Sequence, residues 1–87
     1  MMTREECYSI ICDINEECHM NCYEDWCEAD DLDSELLREK ASEKQSSMFR
    51  KYFNQIDDET QQQIRYFVET DRDFREEFES WYGERLI

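Results

Sequence analysis

No proline interrupts this chain, and a single glycine, Gly83, relaxes its backbone. Without breakers, and with Leu, Ala, Glu, Gln, Lys and Arg scattered throughout, a hydrogen-bonded helical ladder can run almost uninterrupted, and strand-and-turn architectures are disfavoured. Long apolar runs are missing as well: no segment approaches the ~18 residues of a membrane span. The start, MMTREECYSIICDINEE, lacks the basic n-region and apolar core of an export signal. The expectation is a soluble protein of the cytoplasm. Histidine occurs once, at His19, which leaves little for acid–base chemistry. Basic residues are scarce where acids are dense. Residues 1–33 hold eleven acids against Arg4 alone, a net −10, whereas 34–87 carry −4 of the total −14. Such a surface repels phosphate, so direct nucleic-acid binding is excluded and a basic protein surface is the natural complement.

What is present is concentrated at the start. The stretch CYSIICDINEECHMNCYEDWC, Cys7 to Cys27, holds all five cysteines and the histidine. The chain is one domain, with a Cys-rich metal-binding region at 1–30 and a helical scaffold at 31–87. An 87-residue chain buries only roughly 60–65% of the surface its unfolded form exposes, so a staple would help it. The fold expected is all-α, a small bundle of about four helices whose amino-terminal region is stapled by a Cys/His metal site.

The helix signals are orderly. Thr3 and Glu6 make a capping box for a first helix. In it Cys7, Ile11, Ile14, Cys18 and Cys22 recur at three- and four-residue spacing, while Glu6, Asp13, Glu17 and Glu24 project elsewhere. Asn15, followed by Glu16 and Glu17, also reads as a fresh cap, so a break at 13–17 is allowed. Asp30 to Asp33 form a polar joint, after which Asp33 or Ser34 caps a second helix through about Gln55. Its packing side comprises Leu37, Ala41, Met48, Tyr52 and Ile56, widened by Leu36, Phe49 and Phe53. Asp57 or Asp58 caps a third helix, with Ile64, Phe67 and Val68 inward and Gln61 to Gln63 wet. Thr70 with Asp73 suggests a further start, followed by the aromatic stripe Phe74, Phe78, Trp81 and Tyr82, and Gly83 ends it.

An odd cysteine count at partly helical spacing, with no export signal, argues for reduced thiols. Cys18 and Cys22, one turn apart, present their side chains together and can chelate one tetrahedral ion, with His19, Cys27 and Cys12 as the further candidate ligands. Zinc fits this donor set, and with enough soft ligands to close the site its role would be structural. Buried or surface thiols without metal are the competing reading, and Cys7 belongs with the core. On one straight helix Cys12 and Cys27 would lie about 22 Å apart, so a common site needs a break at 13–17 or an early end near Tyr23 or Glu24.

Catalysis finds no constellation. Ser9, Ser34, Ser46, Ser47 and Ser80 have no base in a triad-like setting, and neighbours such as Cys18 and His19 diverge by about 100° on a helix. The Asp30, Asp31, Asp33 run lacks the glycine and the final glutamate of a calcium loop. A non-enzyme is expected, with Glu16, Glu17, Glu24, Asp25, Asp30 and Asp31 of the acidic pole as partner-binding residues.

In size, charge and the cysteine-bearing start MTREECYSIICDINEECHMNCYEDWC, the chain resembles the small phage-encoded anti-CRISPR proteins, particularly those acting on the RNA-guided DNA nuclease of type II systems. Those proteins share no motif, so no site residue carries over. The resemblance implies a stoichiometric nuclease inhibitor at the host–virus interface, working in the bacterial cytoplasm by binding the CRISPR effector nuclease and blocking target DNA. An acidic, zinc-stapled bacterial regulator such as an anti-activator, or a metal- or redox-handling protein, would share the same residues and differ in target or in thiol exposure.

Overall fold

The structure, a computed structural model, describes residues 2–84. Among these, five helices follow one another: α1 (Arg4–Asn21), α2 (Tyr23–Asp31), α3 (Glu35–Gln55), α4 (Asp58–Thr70) and α5 (Arg72–Tyr82). The all-α expectation holds, but the count of about four does not, because the Cys-rich region makes two helices. The molecule is elongated, 46 × 21 × 18 Å.

Local chemistry fixes most helix ends. Thr3 Oγ1 accepts from the Glu6 amide at 3.1 Å while Glu6 accepts from the Thr3 amide at 3.4 Å, completing the capping box. Ser34, not Asp33, caps α3 by accepting from the Leu37 amide, and Asp57 caps α4 through the Thr60 amide. At α5 the cap is Asp71, accepting from the Phe74 amide at 3.0 Å, whereas Thr70 ends α4 with its hydroxyl donating to the Tyr66 carbonyl. A carboxylate caps better than a threonine hydroxyl, and Arg4 holds this one in place. Gly83 closes α5 at φ +81°, as expected.

Between α2 and α3 the joint is a Schellman motif: the Asp33 amide bonds the Asp30 carbonyl and the Ser34 amide bonds that of Ala29. Asp33 takes the left-handed conformation there, φ +48°, a role usually given to glycine. The break allowed at 13–17 does not occur. Asn15 instead accepts from Gln45 of α3, and α1 runs on to Asn21.

One buried cluster unites four of the helices: Cys7, Ile11, Ile14 and Cys18 of α1, Phe49 and Phe53 of α3, Ile64 and Val68 of α4, and Phe74 and Phe78 of α5. The α1 face anticipated from the spacing is the face buried. Phe78 meets Phe49 and Phe53 edge-on at 5.6 and 5.2 Å between ring centroids, the geometry that aromatic quadrupoles favour. Trp81 and Tyr82 flank this core half-buried. Two expectations fail: Leu36 is 61% exposed, and of Gln61 to Gln63 only Gln62 is exposed, Gln61 having turned back to the Ile56 carbonyl.

Candidate functional site: the Cys22 bend and the acidic face

Everything singled out in the amino-terminal third is arranged by what happens at Cys22. Its backbone (φ −105°, ψ 9°) leaves the helical region, yet its amide still reaches the carbonyls of Cys18 and His19, and its own carbonyl accepts from the Trp26 amide. The chain therefore bends at one residue and resumes as α2. The early end near Tyr23 is the alternative realised.

The bend sends α2 across α3, where it docks by few contacts. Ala29 is fully buried there. The Trp26 indole N–H donates to Gln45 Oε1 at 2.8 Å, and Gln45 in turn donates to Asn15, so one glutamine ties α1, α2 and α3 together. Lys44 pairs with Asp25 at 2.9 Å, and Arg38 of α3 reaches Asp30 and Asp33 at the joint.

The candidate metal ligands fall in separate places. Cys18 and Cys22 remain neighbours, both fully buried, and the Cys22 sulfur touches that of Met48 at 3.9 Å. His19, next to Cys18 in sequence, is exposed. Cys12 lies half-buried beside Tyr8, whose hydroxyl donates to Glu77 of α5, and Cys27 lies half-buried beside Tyr23. Cys7 is in the core, as expected. Among the described residues no three His, Cys, Asp or Glu side chains are grouped to hold a metal ion.

Burial governs the thiols. It pushes Cys18 up to about 11, with the Cys22 thiol and Glu17 adding to the shift. Cys7 and Cys12 are raised chiefly by burial, and so is Cys22, against a smaller opposing pull from Lys44. As packed, these four are protonated at neutral pH, so they are poor nucleophiles, and binding a metal would have to release their protons.

Of the six acids expected to meet a partner, two are engaged internally, Asp25 with Lys44 and Asp30 with Arg38. Glu16, Glu17, Glu24 and Asp31 are exposed and form no salt bridge with a described residue. Sequence reasoning missed the apolar residues among them. Met20, Tyr23 and Leu32 are each more than half exposed, around the bend and the following joint. They fall out of phase with the packing faces of α1 and α2, which was the available signal.

No helix among the described residues is long and apolar enough to cross a membrane. No protein-family model matches the chain, and no curated protein or solved structure matches it.

Proposed function

We propose that this protein is a non-catalytic, stoichiometric inhibitor that binds a basic surface of a partner protein, an RNA-guided DNA nuclease of a bacterial CRISPR system, and blocks loading of target DNA. The observation that carries this reading is the density of unpaired carboxylates on a rigid helical scaffold: Glu16 and Glu17 on α1 and Glu24 and Asp31 on α2 stay exposed and unbridged while neighbouring acids are held by Lys44 and Arg38. Carboxylates fixed on helices offer negative charge at set spacing, which a channel built for phosphate would bind without any chemistry taking place. The test compares two charge reversals by calorimetry against the nuclease. Glu16, Glu17, Glu24 and Asp31 changed to Lys should weaken binding far more than Glu35, Glu39 and Glu43 changed to Lys, and wild-type binding should weaken with salt. Equal effects of the two sets, with no salt dependence, would reduce the acids to a solubilising surface.

A zinc staple is a second reading, favoured by one observation: Cys18 and Cys22 stand as neighbours one turn apart. Its remaining ligands would be drawn from His19, Cys27 and Cys12, which requires α2 to turn about Cys22. Elemental analysis of protein purified without added metal should then find about one zinc per chain, and a chelator should lower the melting temperature. Metal-free protein with an unchanged melt would leave the cysteines as packing residues.

A further inference from the structure

α2 has two opposed faces. Cys22, Trp26 and Ala29 point to the protein interior, whereas Tyr23, Glu24, Cys27, Glu28 and Asp31 fall on the other side at the i, i+4, i+8 spacing of one helix face. That outer face has no partner element. It lines an open hollow of about 470 Å³ running from Tyr23 past Cys27 to Leu32. A second hollow, shared through Tyr23, Glu24 and Glu28, extends it to Met20.

The composition of this strip is unlike the rest of the acidic surface. Met20, Tyr23 and Leu32 are 68%, 58% and 64% exposed, and Cys27 lies between the last two with its thiol beside the Tyr23 hydroxyl. Around them stand Glu24, Glu28 and Asp31, none in a salt bridge with a described residue. Aromatic and aliphatic anchors inside a charged rim are how protein interfaces are built, and a merely solvated face would not hold its largest apolar side chains on this side.

The rim selects the occupant. A second copy of this chain would bring another −10 segment against the first, like charge on like. A nucleic acid would meet the same repulsion and find no basic residue on the strip. From Tyr23 to Leu32 the strip runs about 14 Å, two and a half helical turns, and presents ridges that another helix can pack against. We infer that the outer face of α2, with Tyr23, Cys27 and Leu32 as anchors, docks a basic amphipathic helix of a protein partner, its apolar stripe in the hollow and its Lys and Arg residues on Glu24, Glu28 and Asp31. The inference rests on the acidic face being a partner-binding surface, and names the segment that face takes.

The test uses isotope-labelled protein and a synthetic helix of roughly 15 residues, with Leu at i, i+4 and i+7 and flanking lysines, against a peptide of the same composition whose leucines are out of phase. Binding by the in-phase peptide should be saturable and one-to-one, with amide shifts confined to about residues 20–32, and the out-of-phase peptide should bind at least tenfold more weakly. Replacing Tyr23 and Leu32 together by Ser, both exposed so that the fold should survive as judged by an unchanged amide spectrum elsewhere, should also cost tenfold or more. If the two peptides bind alike and only charge reversal of Glu24, Glu28 and Asp31 abolishes binding, the anchors play no part and the inference falls, while the acidic face keeps its role. If neither peptide binds, both fall. A concentration-dependent dimer with residues 20–32 protected would also overturn it, making a second copy the occupant.

Discussion

Replacing Ala29 by Glu should undock α2 while leaving the rest of the bundle folded. Ala29 is fully buried against α3, yet the core cluster of α1, α3, α4 and α5 does not include it. A glutamate there must either overpack the contact, at about 1–3 kcal/mol, or bury a carboxylate with no cation, at several kcal/mol more. The docking it opposes consists of one methyl group, a partly buried Trp26 with its bond to Gln45, and the partly exposed Lys44–Asp25 pair, so a few kcal/mol in all. The perturbation wins locally. A free helix of 9 residues is too short to persist in water, so an undocked α2 unfolds. Circular dichroism should lose roughly one-eighth of the helical signal, the share of α2 among the five helices. Hydrogen exchange should speed up from about Tyr23 to Asp31 and stay slow around Phe49, Phe78 and Ile64. Loss of all protection, or a fully protected α2, would refute the view of α2 as a separately docked unit.

Further outcomes follow from the helix ends. The Arg4 guanidinium, then the Phe74 amide, holds the Asp71 carboxyl below its ordinary value; a lowered native pKa means stability that is present above the unfolded value and lost as pH falls through the native one. Asp71→Asn keeps a capping side chain but not the charge, so its melting temperature should fall less than that of wild type between neutral pH and pH below about 4; parallel curves would contradict the assignment. Gly83→Ala should destabilise by at least about 1–2 kcal/mol, since an L-residue at φ +81° is strained and its Cβ would come within 2.8 Å of Ser46 Cβ, and a chemical denaturation midpoint no lower than wild type would contradict this.

Much of the bundle is legible in the sequence because its signals are local. The Thr3–Glu6 box, the Ser34 and Asp57 caps and the Gly83 stop each act within four residues, and the Cys7–Ile11–Ile14–Cys18 spacing marks the face that is buried. What escapes reading is decided across helices. Cys22 continues the apolar spacing of α1, so nothing local marks it as the bend; its sulfur is buried against Met48, on another helix. Asp25 and Asp30 look as available as Glu24 and Asp31 until Lys44 and Arg38 arrive from α3. Thr70 and Asp73 look like a box, but Arg4, at the far end of the chain, favours Asp71. The exposed Met20, Tyr23 and Leu32 become a surface only once the bend has turned α2 outward.

Order of addition in a nuclease cleavage assay tests the central claim most directly. Protein mixed with guide-loaded type II nuclease before target DNA should abolish cleavage at close to one inhibitor per nuclease, and protein added after the DNA should have little effect, because carboxylates compete only where phosphate has yet to sit. Equal inhibition in both orders, no inhibition in either, or many nuclease molecules inactivated by each inhibitor would contradict it.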